Sequence, residues 1–121
     1  MFFDGNSKRI AWIIHTNNST IEQEREHPEI YLDKVTNQES KYIALHVGIF
    51  WGVGRFLIKN KDTIKIMIDN KTMFDHLSGN GESSDDFIKM RTHFITQLIE
   101  KRKLKINYEL ISSGKYLALK L

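Results

Sequence analysis

The spacing of apolar and polar residues changes several times along the chain, and each change marks an element. MFFDG opens with apolar residues and an acid–glycine pair, which predicts a short strand running into a turn. RIAWIIHT alternates loosely and is rich in β-branched residues, the pattern of a second strand. Asn17-Asn18-Ser19 is turn chemistry. TIEQERE alternates weakly and predicts the first half of a third strand. Pro28 interrupts it, and EIYLDKVT resumes with Ile30, Leu32 and Val35 on alternating positions. The first third is therefore expected to be an antiparallel meander.

From residue 39 to 59 the period is helical. Ile43, Val47, Phe50 and Leu57 share a stripe that Tyr42, Ile49, Val53 and Phe56 widen. Gly48 and Gly52 lie four apart. Glycine is poor in helix interiors, so two on one face predict close approach to another element, with packing against a sheet as the simplest cause. TIKIMID alternates cleanly and is the clearest strand of the sequence, ending in Asp69. Asn70 to Leu77 reads as a short helix and SGNGESS as a flexible loop. Ser84, followed by Asp85 and Asp86, reads as the N-cap of a helix reaching about Lys101. Its expected buried stripe is Phe87, Met90, Phe94 and Leu98. LKINYELI predicts a final strand, and YLALKL a further strand or a helical stub. Strands alternating with helices after a meander indicate an α/β domain with a mixed sheet. The length of 121 residues predicts one domain over 1–121.

Composition removes several function classes. Without cysteine there is no disulfide framework, zinc–thiolate site or cysteine nucleophile. The longest apolar stretch, IALHVGIFWGV, is interrupted by His46 and is too short for a membrane span, so no membrane partner is expected. MFFDGNSKR lacks a basic region ahead of an apolar block, which argues against a secretory signal and for an intracellular location, cytoplasmic or equivalent. A net charge of +3 permits contact with a phosphate backbone without demanding it.

Asp4 ends the first strand and Asp69 the strand after the main helix. If those strands are parallel neighbours, both carboxylates emerge at the strand ends where α/β domains place ligands. Two converging acids repel unless a cation lies between them. Mg2+ or Mn2+, bound by carboxylates and substrate phosphate oxygens, is the usual one.

FFDGNS, TNQESKYIAL and IMIDN stand in that order on those elements. Together they resemble the ribonuclease H-like family, in its ribonuclease H and reverse-transcriptase-associated branch. FFDGNS resembles the strand ending in Asp-Gly-Ser. TNQESKYIAL resembles the Thr-Asn-Asn loop leading into a helix with an acid near its start, and IMIDN the third acidic strand. The resemblance implies a five-stranded mixed sheet flanked by helices, with strands 1–3 as the meander and parallel strands after it. It also implies a two-metal site that cleaves the RNA strand of an RNA/DNA hybrid. Asp4, Glu39 and Asp69 would be the catalytic acids, with Asp4 and Asp69 as metal ligands. Asn37 and Gln38 would be an amide pair reading the minor-groove face of the hybrid.

The sequence departs from this pattern twice. In the family the helix acid lies three residues after the second amide, a position held here by Lys41. Glu39 lies two residues earlier, about 200° around an ideal helix, and reaches the site only if the helix begins late. The fourth family acid lies in a C-terminal helix, and ISSGKYLALKL contains no carboxylate side chain; Glu109 is the nearest acid. Lys41 shares a face with Leu45, Gly48 and Gly52, and an ammonium there can neutralise Asp4 and Asp69 without metal. The leading expectation is a degenerate member that binds RNA/DNA hybrid, RNA or a protein partner and needs no cofactor. The alternatives are a working Mg2+- or Mn2+-dependent ribonuclease and a structural subunit of a larger assembly.

Other candidates carry less. The five histidines show no metal-ligand spacing, and Trp12 and Trp51 read as core residues. The run EKRKLK can touch phosphates, but a solvated helix end whose cations suit the dipole explains it as well.

Overall fold

The computed structural model of the chain describes residues 1–79 and 82–112. Strands β1 (Phe2–Gly5), β2 (Arg9–His15) and β3 (Thr20–Glu26) form an antiparallel sheet in that order. Helix α1 (Asn37–Gly54) leads to β4 (Thr63–Ile68). A short α2 (Lys71–Leu77), α3 (Asp86–Arg102) and β5 (Lys105–Leu110) follow. β4 and β5 pair in parallel.

The two sheets meet at β1 and β4. Met1 N donates to Lys65 O at 2.6 Å, and Met67 N donates to Met1 O at 3.0 Å. One residue bonded to both flanks of its opposite number is the parallel pattern, so Met1 stands opposite Ile66. Carried three residues along, this register sets Asp4 beside Asp69. Across the molecule the strands run 3-2-1-4-5, with β2 alone opposing the rest. This is the mixed five-stranded arrangement with flanking helices that the sequence predicts.

β2 is covered on both faces. Ile10, Trp12 and Ile14 join the main core under α1, while Ala11 and Ile13 meet Phe2, Met67 and Ile111 on the other face. Ile66 and Ile68 of β4 and Leu45 and Ile49 of α1 are fully buried. Each such side chain contributes about 1.5–3 kcal/mol relative to exposure. The glycine pair of α1 faces this core. A Cβ on Gly48 would stand 3.1 Å from Trp12 Cγ and one on Gly52 2.9 Å from Ile14 Cδ1, so both positions permit close approach to β2.

Four expectations need correction. EIYLDKVT is not a strand. Tyr31 N and Leu32 N both donate to Pro28 O, so the chain coils after the proline, leaving Ile30 exposed and Val35 buried. α1 spans 37–54 rather than 39–59, and its buried face centres on Leu45, Gly48, Ile49 and Gly52. Phe50 and Phe56, expected inside, are 66% and 81% exposed. On α3 the buried positions are Ile88 and Ile95, whereas Met90 and Phe94 face outward. Polar Arg91 and Thr92 occupy the middle of the true stripe and conceal its period. The α3 N-cap is Asp85, whose carboxylate accepts from Phe87 N and Ile88 N, not Ser84. YLALKL and part of SGNGESS lie outside the described residues.

Candidate functional site

Gly5 determines how near β1 comes to α1. A Cβ there would lie 2.7 Å from both the carbonyl carbon and oxygen of Ser40. Only glycine lets the strand end meet the first turn of the helix backbone to backbone. Asp4 is thereby set alongside Lys41. The parallel register brings Asp69 to the same place from β4.

Lys41 Nζ lies 3.0 Å from Asp69 Oδ1 and 3.7 Å from Asp4 Oδ1. The three side chains are 18%, 13% and 24% exposed respectively, so the cluster is largely shielded from water. Asp4 Oδ1 also accepts from Gly5 N at 2.8 Å. Burial pushes the Asp4 carboxyl above its ordinary range. The Gly5 N–H and the Lys41 charge oppose that shift, and the Asp69 carboxylate adds to it. With both acids ionised, two negative charges and one positive leave the cluster at −1.

Glu39 is engaged elsewhere. Its Oε1 accepts from Thr36 N at 2.8 Å while Thr36 Oγ1 accepts from Glu39 N at 3.0 Å. This reciprocal capping box fixes where α1 starts, and with it the direction in which Lys41 points. Among the described residues no three acids or histidines gather into a group able to hold a metal ion. Two carboxylates with an ammonium against both are a poor donor set for a resident divalent cation. Bridging Asp4 and Asp69 with a metal requires moving Lys41 away.

Asn37 lies exposed at the first position of α1. Gln38 is partly buried, and its Nε2 donates to Asn70 Oδ1 at 3.4 Å. Asn70 also caps α2 by accepting from Met73 N. Next to it the Tyr42 hydroxyl meets His76 Nδ1 at 2.7 Å, pinning α2 to α1. Burial pushes the Tyr42 hydroxyl up to about 12 and holds the His76 imidazole below its ordinary value. Beneath the site, buried His27 brings Nε2 to 2.7 Å from Ser40 Oγ and 3.0 Å from Asn6 O. Sequence reasoning missed Asn70, Tyr42, His76 and the His27–Ser40 pair, because their partners are remote in the chain. The capping box was legible as T-x-x-E.

No family model matches the chain, and no curated protein matches it by sequence. Solved structures do match. The RNase H1 of the halophilic archaeon Halobacterium salinarum NRC-1 aligns with a TM-score of 0.70 at 16% identity, covering 90% of this chain and 83% of that one. The N-terminal RNase H domain of rv2228c from Mycobacterium tuberculosis reaches 0.72 at 14% identity, over 94% and 88%. The fold is ribonuclease H-like. A further ribonuclease H-like neighbour, LC11-RNase H1 in complex with RNA/DNA hybrid, aligns at 0.63 with 15% identity over 90% and 83%. Chemistry on a ribonuclease H-like scaffold has to be read from the side chains this chain presents. Among the described residues no helix is long and apolar enough to cross a membrane.

Proposed function

We propose that this chain is a nucleic-acid-binding module on a ribonuclease H-like fold that cleaves poorly or not at all. It takes RNA/DNA hybrid or RNA at the end of the sheet carrying Asp4 and Asp69. The observation that supports weak cleavage is Lys41, whose ammonium lies 3.0 Å and 3.7 Å from the two carboxylates. A two-metal phosphodiester cleavage needs carboxylates free to hold Mg2+ or Mn2+ ions. Here the cation between the acids belongs to the protein. The residues present do not fit a resident metal pair, and no cleavage step is drawn through one.

Binding is supported by the fold and by the amide edge. A neighbour of the same fold is solved with an RNA/DNA hybrid. Asn37 and Gln38 stand at the start of α1. Their amides can donate to and accept from 2′-hydroxyls, the groups that distinguish RNA from DNA.

The test is incubation of a labelled RNA/DNA hybrid with the native chain and with Asp69→Asn, in Mn2+ and in EDTA, following binding and cleavage together. The expected result is retention of the hybrid with equal affinity in both media and no cut strand. Cleavage by the native chain that disappears in Asp69→Asn would overturn the proposal in favour of a working metal-dependent ribonuclease. Failure to retain hybrid or RNA would leave a protein partner or an assembly role.

A further inference from the structure

The positive charge of the chain is concentrated at one end of the fold. Arg55, Lys59 and Lys61 lie in the connection from α1 to β4. Lys101, Arg102, Lys103 and Lys105 span the end of α3 and the start of β5. Two backbone bonds tie these segments together, Lys61 N to Arg102 O and Lys105 N to Asp62 O, each 2.9 Å. Seven cations therefore share this end with two acids, Asp62 and Glu100. The whole chain is only +3, so everything outside this end is net negative.

Among the described residues none of the seven is in an ion pair, whereas Lys8, Arg9, Lys41, Lys65 and Lys71 each meet a carboxylate. Asp62 is occupied by the backbone, accepting from Lys59 N at 2.8 Å. Attraction to a helix dipole accounts for Lys101 and Arg102 in the last turn of α3. It does not account for Lys59, Lys61 or Lys105.

A second feature lies at the same end. Phe56 follows the C-cap of α1 with φ of +61° and is 81% exposed. That position favours glycine or asparagine, and a phenylalanine there costs about 1–2 kcal/mol. Lys61 and Lys103 are also left-handed, at +72° and +56°. Strain held at an exposed aromatic among cations that meet no carboxylate points to use of the surface.

We infer that this end of the sheet is a second contact surface, taking the phosphate backbone of nucleic acid with Phe56 as a stacking platform for an unpaired base. The inference rests on the reading of the chain as a nucleic-acid-binding module. The Asp4–Lys41–Asp69 cluster, at −1, adds no attraction for phosphate to the amide contacts of Asn37 and Gln38. The basic end supplies it, from about 20 Å away, the length of six β4 residues at about 3.3 Å each. A membrane surface is the competing polyanion. Ile58 and Leu104, placed among the cations, are 5% and 7% exposed, which leaves Phe56 as a single anchor rather than an apolar face for a bilayer.

The experiment is fluorescence anisotropy across a salt series, using a blunt RNA/DNA hybrid and one with a single-stranded overhang. Native chain is compared with the triple variant Lys59→Ala, Lys101→Ala, Lys105→Ala. Lys89→Ala, on α3 and outside both the basic end and the Asn37–Gln38 edge, is the control, set against the single Lys101→Ala and Lys105→Ala variants. Melting curves check that each is folded, and the single Lys101→Ala and Lys105→Ala variants supply the slope if the triple is not. The first triple is expected to flatten the log K against log salt slope by about 2–3, close to one for each phosphate no longer neutralised. The control keeps the native slope. Phe56→Gly is expected to weaken binding of the overhang and leave the blunt hybrid unchanged. If native chain binds hybrid and the first triple matches it, the inference falls while the proposed function stands. Phosphatidylserine vesicles are titrated in parallel; if native chain binds no nucleic acid, or binds only the vesicles, both fall.

Discussion

Replacing Lys41 with methionine removes the ammonium and keeps most of the side-chain volume. At an effective dielectric of about 20, unit charges at the two observed separations attract by about 5.5 and 4.5 kcal/mol. Those are gross terms. The desolvation of the ammonium is recovered on substitution, and the 13–24% exposure of the three side chains lets water compensate in part. Breaking a fully buried pair costs about 3–5 kcal/mol, so about 2–4 kcal/mol is expected here at neutral pH. The sign of the pH dependence follows from Asp4. Its folded carboxyl already titrates above its ordinary value of 3.8 because of burial, and losing Lys41 raises it further. A raised acid favours the folded state below its folded pKa and loses that contribution as pH rises through it. The Lys41→Met deficit should therefore be largest at neutral pH and shrink toward about pH 4. Mn2+ should stabilise the variant, by about 2.7 kcal/mol at one hundred times its dissociation constant, and leave the native chain unmoved. Urea titrations at both pH values, with and without Mn2+, measure all of this. Equal stability of variant and native chain at both pH values would refute the electrostatic reasoning. Equal Mn2+ stabilisation of the two would refute the idea that the ammonium stands where an ion would.

Three further outcomes are expected. Gly5→Ala forces a Cβ against the Ser40 backbone, which cannot yield as a side-chain tip would; denaturant titration should show a loss of about 3 kcal/mol or more. His27→Ala orphans the buried Ser40 hydroxyl and opens a cavity, for about 2–4 kcal/mol. Burial lowers the folded pKa of His27, as it does those of His46 and His76, so their contribution is full above the ordinary value of 6.5 and is lost as pH falls below it; the melting temperature of the native chain should drop on acidification through that window, and less steeply in His27→Ala. Phe56→Gly relieves a left-handed phenylalanine and should raise stability by about 1 kcal/mol in thermal or urea unfolding, the reverse of its expected effect on overhang binding.

The sequence made strands legible where alternation ran without interruption, as in TIKIMID and RIAWIIHT. It misled where a polar residue occupied a core-facing position. Arg91 and Thr92 in the α3 stripe shifted the apparent face onto Met90 and Phe94. The glycines of α1 carry no hydropathy, so the apolar count drifted toward Phe50 although Gly48 and Gly52 define the packed side. EIYLDKVT looked like a strand because Ile30, Leu32 and Val35 alternate, but Pro28 coils the chain before a ladder can form. At the candidate site, Asp4, Asp69 and Lys41 were visible as residue types. Their juxtaposition depends on the β1–β4 register and on Gly5 meeting Ser40, both made across long stretches of chain. The capping role of Glu39 was available from Thr36 three residues earlier, since T-x-x-E predicts it locally.

A tethered ammonium differs from a bound ion in one further respect. Its local concentration is set by the four-carbon stem of Lys41 and the start of α1, not by the surrounding medium. Chelators cannot strip it, competing ions cannot exchange it, and dilution cannot empty it. A strand arriving at this end of the sheet would meet the same charge whatever the supply of divalent metal. A site of this kind has no loaded and unloaded forms, and its occupancy is decided once, when the chain folds.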